Sequence, residues 1–491
     1  MEDTLDKRVN AMYKGQHQHA LLNLAAFHYS TGGLDSAKGS IDEAIRVARA
    51  EGDRACLRQC MSLLRRLETE MYSAAFTLFE IPRIRQAPLP HSRLAMATTP
   101  MDELWSIKAA LDLGEPVHVA FRRIHLALAR YEESQIKPDN KQDPKDGWTT
   151  KDAFDVAAWH AAQAGLWASL GSETLAMLHE DMTLSADEAD EDGRLSVLLG
   201  RAVRLASKAR FDEAVALLLD ITLLEGLSLA LYHRWARVVW SVLKRQADMT
   251  QDAEGLVILE ALMPPEGSIA CLGAGGPSRQ LGHPSADLNA NERVTTSRGI
   301  ILAQEEVRSS LRKAKKMQEA NTPSYLILPR VLSAVQMSNE LGLWPLYRHG
   351  IIVLGEVLVS MEGAGMAPKA MQEVLSVWDQ VLGSGDEEAI ALGALVLGKV
   401  KVELALDNGS ANLLAEAVDH LQHSLQVAIK LASRSLILEA TTLLALIADM
   451  QGNADERDRL AQQWEMAHVG DIKDLSRRRE QMRQVGEIVK L

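Results

Sequence analysis

The stretch "ALLNLAAFHYSTGGLDSAKGSIDEAIRVARAEGD", residues 20–53, constrains the fold more than any other part of the chain. Apolar positions return every three or four residues on either side of Gly32-Gly33, which is the pattern of two amphipathic helices around a tight turn. Such a hairpin cannot bury its apolar face alone, so it calls for neighbours. Residue sizes say how those neighbours meet. Leu24, Ala25 and His28 read large, small, large on the first helix; Gly32 is the turn; Leu34, Ala37, Ile41 and Ala44 alternate large and small on the second. Small residues let backbones approach, and large ones are expected to fill the gap between hairpins. Gly32 ends the first helix, where a left-handed conformation is cheap only for glycine.

Weaker copies follow. Ala164, Trp167, Gly171 and Ala176 fall at the same offsets in "HAAQAGLWASLGSETLAMLHE". Phe211, Ala214 and Leu218 repeat the second-helix signal, as do Leu404, Ala405, Leu414, Ala417 and Leu421. Leu444, Ala445, Ala448, Gly452 and Ala461 close the series. The pattern resembles tetratricopeptide repeats, although small-and-large spacing also occurs in ordinary helical bundles. The fold class expected is all-α, a tetratricopeptide-like helical-repeat solenoid of stacked antiparallel helix pairs forming a superhelix. At roughly 34 residues per unit the chain has room for about fourteen, and its interruptions point to fewer.

Composition agrees with an all-α chain. Hydrophobic residues make up 47% of the 491 residues and aromatics only 4%, with the apolar weight in Leu and Ala, which are strong helix formers. A net charge of −13 argues against nucleic acid, because a phosphate-tracking surface needs a basic stripe. No apolar run reaches the length of a membrane span, and no charged-then-apolar leader opens the sequence. Three cysteines fit a reducing compartment.

Interruptions set the expected organisation: first repeats at 1–80, a proline-containing linker at 81–100, helical repeats at 101–262, a Pro/Gly/Ser-rich and disordered loop at 263–295, and C-terminal repeats at 296–491. Shorter breaks are expected at 137–147 and 362–369. The long loop either divides two helical blocks or interrupts one continuous array.

Chemistry is sparse. "GALVLGKV", residues 393–400, has both glycines and the lysine of a phosphate-binding loop, but Val400 stands where a hydroxyl should hold magnesium. Its surroundings read as one apolar helix, whose N–H groups would turn inward to its own carbonyls. "CLGAGGPSR", residues 271–279, lacks the third glycine and the flanking strand of a dinucleotide fingerprint. In "HQH" the two imidazoles, His17 and His19, diverge by about 200° on a helix, and no acidic or cysteine partner is expected nearby at ligand spacing; a solvated helix entrance is expected. Cys56 and Cys60 share a helix face but are two ligands where structural zinc wants four, so buried apolar cysteines are preferred. No catalytic, cofactor or metal residues are therefore assigned, and the chain is expected not to be an enzyme.

Residues 19–67 resemble the start of the repeat region of the anaphase-promoting complex subunit 5 family. The shared features are the Ala-Leu-Leu-Asn-Leu-Ala run at 20–25, the "SIDEAIRVA" helix around Ile41–Ala48, and Asp53 leading into Cys56-x-x-x-Cys60. Later segments are similar to the family's later repeats. The family carries a further helical region before these repeats, and this chain is expected to begin almost at them. The resemblance implies a non-catalytic scaffold in a large cullin–RING ubiquitin ligase acting in mitosis, in the nucleus and cytoplasm. Its implied partners are the large subunit 1, subunit 4 and neighbouring platform subunits, with no cofactor, nucleic acid, membrane or small-molecule substrate. Two other roles compete. A peptide-binding adaptor would need polar groove residues, where Leu22 and Ala26 stand beside Asn23. A regulatory helical domain of a nucleotide-driven protein would need residues 393–400 to bind phosphate.

Overall fold

The computed structural model describes residues 17–53, 56–57, 59–67, 103–104, 106–107, 110–111, 115–136, 156–186, 191–220, 227, 229–262, 301–361, 366–469 and 472–490. Among them there is helix and turn and no strand, so the protein is an all-α helical-repeat solenoid as its periodicity requires. The expected linker at 81–100, the loop at 137–147 and the stretch 263–292 lie outside the described residues. Of the break at 362–369, the described part is already helical from Met366.

The described helices run in chain order α1 (His17–Ser30), α2 (Leu34–Glu51), α3 (Val117–Ile136), α4 (Val156–Leu170), α5 (Glu173–Ser185), α6 (Glu191–Ser207), α7 (Phe211–Leu218), α8 (Leu229–Thr250) and α9 (Ala253–Ala261). They continue with α10 (Ile301–Glu319), α11 (Ser324–Leu341), α12 (Trp344–Val359), α13 (Met366–Ser384), α14 (Glu387–Asn408), α15 (Ala411–Lys430), α16 (Arg434–Met450), α17 (Ala454–Val469) and α18 (Ile472–Lys490). The chain folds as two compact units, one of residues 1–162, 226–233 and 265–303, the other of 163–225, 234–264 and 304–491.

One turn chemistry recurs through the hairpins. Gly32 has φ +83°, and the N–H of Gly33 reaches back to the carbonyl of His28 at 2.8 Å. That pair of features satisfies the carbonyls a helix end leaves open. Gly171 repeats it with φ +79° and the Ser172 N–H on the Trp167 carbonyl at 2.9 Å. Ala209, Gln251, Asn321 and Ala432 adopt the same left-handed position without being glycine. The turn geometry therefore persists where the sequence signal has vanished.

In the first unit α1 lies antiparallel on α2. Ala25, Ala37, Ile41, Ala44 and Ala48 form a seam of mostly small side chains continued by Cys56, Cys60 and Leu67. In the second unit α11 to α17 pack each on its neighbour in the series, and α14 also packs on α12 and on α16, giving a layered row. The centre of that row is α14, apolar nearly all round, with Leu395, Val396, Leu397 and Val400 fully buried. A helix without a polar face is stable only when it is wrapped by others. A longer-range contact also forms: α18 returns to pack on α9.

Candidate functional site

The phosphate-loop lookalike is the middle of α14 and has no loop in it. Its glycines are there for packing. A Cβ on Gly393 would stand 2.7 Å from Trp378 Cζ3, and one on Gly398 would stand 2.6 Å from Leu421 Cδ2. Lys399, which would reach a phosphate, instead donates to Glu356 Oε1 on α12 at 2.9 Å and to Glu439 Oε1 on α16 at 2.5 Å. Burial pulls against its charge, but the two carboxylates outweigh this and hold the ammonium charged, with its pKa raised. The lysine is a rivet across three helices of the row.

Other buried charges are shared between neighbouring helices in the same way. Glu180 on α5, 2% exposed, takes Arg201 Nε at 3.2 Å and Arg204, both from α6. Lys401 on α14 donates to Glu416 Oε2 on α15 at 2.7 Å. These side chains hold helices to helices.

The residues expected to frame the repeats fall as follows. Ala25, Ala37, Ile41, Ala44, Ala164, Ala176, Ala214, Ala405 and Ala417 are buried. His28 is half-buried and Gly32 sits in its turn. Gly171 closes against Pro345 and Arg348 at the start of α12: an added Cβ would meet Arg348 Nη2 at 2.7 Å. Ala445 is half-buried, and Gly452 has φ +74° after α16. Leu24 differs from its expected role as a gap filler. It is 45% exposed, because its neighbour Ala25 takes the face turned to α2, and consecutive residues on a helix point about 100° apart. Ala461 is likewise exposed.

A second correction concerns the start of α1. His19 does have acidic and cysteine neighbours. Its Nε2 lies 3.3 Å from Asp53 Oδ2, and one ligand atom from each of His19, Asp53 and Cys56 falls within 4.8 Å of the others. Antiparallel pairing brings them together, since the beginning of α1 must meet the end of α2. Asp53 follows the turn after α2, and its Oδ1 accepts from the Cys56 N–H at 3.0 Å, starting the next helical stretch. Gln18, 3% exposed, donates Nε2 to Asp53 Oδ2 at 3.1 Å, while its Oε1 is buried without a partner. Cys60 Sγ lies 3.9 Å from Cys56 Sγ. Burial, then the adjoining Cys60 thiol, push Cys56 up to about 12, and burial raises Cys60 as well. The signal that could have found this group is the hairpin itself: once residues 17–51 are folded back at Gly32, position 19 and position 53 are neighbours.

Stacked helix pairs, joined by ion pairs such as those of Lys399 and Glu180, define a helical-repeat protein. The family model of anaphase-promoting complex subunit 5 matches residues 2–71, a stretch that takes in α1 and α2. A comparison with curated proteins found no match. Among the described residues, no helix is long and apolar enough to cross a membrane.

Proposed function

We propose that this chain is a non-catalytic scaffold of the anaphase-promoting complex, placed in the platform that joins the cullin–RING catalytic module to the lobe of repeat subunits. The observation that carries the reading is the family match over residues 2–71. On this reading the large subunit 1 and subunit 4 are its direct neighbours, and it acts in the nucleus and cytoplasm during mitotic progression and protein ubiquitination. Its mechanism is geometric. Stacked helix pairs present side-chain walls to partner helices and loops.

Exposed apolar side chains on the second unit support this. Tyr325, Leu326 and Leu332 on α11 and Met177, Leu178 and Met182 on α5 lie well open to solvent, and such clusters on a folded chain mark protein-binding surface. The reading of residues 393–400 as a nucleotide site has no support from the packing of α14.

The test is recovery of the endogenous protein through an affinity tag, followed by cross-linking mass spectrometry. The expected outcome is stoichiometric recovery with the other subunits and cross-links to the large subunit 1 and subunit 4. Recovery as a lone monomer from native extract would refute it. Cross-links confined to other subunits would refute the placement while leaving membership intact.

A further inference from the structure

The group at the start of α1 has the composition and dimensions of a zinc-type metal site. Imidazole, carboxylate and thiolate together suit Zn²⁺ better than Mg²⁺ or Ca²⁺, which prefer all-oxygen shells. With metal–sulfur bonds of about 2.3 Å, two thiolates on a tetrahedral ion stand about 3.8 Å apart; Cys56 Sγ and Cys60 Sγ are 3.9 Å apart. With bonds of about 2.0–2.1 Å to nitrogen and oxygen, the other edge is about 3.3 Å; His19 Nε2 and Asp53 Oδ2 are 3.3 Å apart.

We propose that His19, Asp53 and Cys56 bind a zinc-type divalent cation, with Cys60, one helical turn beyond Cys56, as the fourth ligand. Ligands from both ends of the hairpin converge: His19 opens α1, while Asp53 follows α2 and starts the helical stretch that carries both cysteines. The cation therefore ties the first hairpin to the next element. Each thiol gives its proton to solvent as its sulfur takes the metal, while the carboxylate and the neutral imidazole bind as they are. Gln18 supplies the outer support such sites use, its amide fixing the Asp53 oxygen that faces His19. His19 is 38% exposed along its side chain, which leaves a path for the ion to enter.

Two plainer readings use the same atoms: an ordinary His–Asp ion pair, and two buried thiols that only fill space. Neither explains why one ligand atom from each of His19, Asp53 and Cys56 falls within 4.8 Å of the others.

The test is titration of the full chain, stripped with a chelator, with cobalt(II) chloride. Cobalt is followed by its visible ligand-field bands and its thiolate charge-transfer band, and zinc is then used as competitor. The expected result is one equivalent of tetrahedral cobalt with a thiolate band that zinc abolishes. Cys56→Ser and Cys60→Ser should each weaken the band, and Cys271→Ser should leave it unchanged. His19→Ala, a change at a half-open position that leaves the core alone, should weaken affinity by about tenfold or more. Absence of a thiolate band in the parent protein at stoichiometric cobalt would overturn the proposal, as would a band undiminished in Cys56→Ser. Unchanged intensity in Cys60→Ser would remove the fourth ligand, and unchanged affinity in His19→Ala would remove the first. The decisive measurement is on the parent chain, so a variant that fails to fold does not rescue the idea.

Discussion

Lys399 shows how much one side chain can hold. Its ammonium is mostly buried and paired with Glu356 on α12 and Glu439 on α16, so removing it leaves a carboxylate in the core without its cation. Breaking a buried pair from one side costs several kcal/mol, far more than the pair itself is worth. Lys399→Ala should lower unfolding free energy by about 2–4 kcal/mol in denaturant titration. It should also leave nucleotide affinity, measured by calorimetry, indistinguishable from the parent. The adjoining glycines make a sharper residue-scale contrast. Gly398→Ala places a Cβ 2.6 Å from Leu421 and should cost about 1–3 kcal/mol by overpacking. Gly200→Ala, on α6 where an added Cβ meets nothing within 4 Å, should gain about 0.5–1 kcal/mol because glycine is a poor helix former. Opposite signs for the same substitution are the expected outcome, read from denaturation midpoints at constant m-value.

At the scale of the helix pair, the turn is the recurring device. Ala432 holds φ +51° between α15 and α16, with the Ser433 N–H on the Ala428 carbonyl at 3.0 Å. A left-handed alanine is strained by about 1 kcal/mol. Ala432→Gly should therefore stabilise by about 0.5 kcal/mol after glycine's extra chain entropy is subtracted, a shift measurable by urea unfolding. This turn also shows what was legible in the sequence. Where the left-handed residue is glycine, as at Gly32 and Gly171, the hairpin could be read directly. Where it is Ala432 or Ala209, the same geometry carried no mark. Periodicity gave α2 and the packing role of Ala25 and Ala37, because amphipathic spacing is local, and an unbroken apolar run gave α14. It gave the wrong surface to Leu24, whose neighbour settles which face turns inward. It also left His19 without its partners, because Asp53 reaches it only once the chain has folded back.

Within the second unit, α9 and α18 are fastened together by a pair that no local pattern announces. Asp252, at the start of α9, has a side chain only 1% exposed. It accepts from the Gly255 N–H at 3.1 Å and from Arg479 Nη2 of α18 at 2.6 Å. Burial would raise its pKa, but Arg479 and the backbone donors of Gly255 and Glu254 outweigh it and hold the carboxyl below the usual range. A depressed carboxylate stabilises the fold fully above the unfolded value of about 3.9, and that contribution is lost as pH falls through the lower folded value. Asp252→Asn should thus be destabilised at neutral pH by about 1–3 kcal/mol, and the gap to the parent should close in acid below about pH 4. Hydrogen exchange should localise the neutral-pH loss to α9 and α18, with α12 and α14 protected as before. Exchange that rises uniformly across the unit would contradict this assignment.

That clasp has a bearing on how the protein is made. Asp252 and Arg479 are 227 positions apart, and ribosomes add roughly 5–20 residues per second. The nascent α9 must therefore wait roughly 10–45 seconds for the helix that covers it. Over that interval Val239, Leu259 and Leu262, the apolar residues that α18 will shelter, are open to any chaperone that surveys emerging chains. Birth order, as well as sequence, decides when this surface is safe.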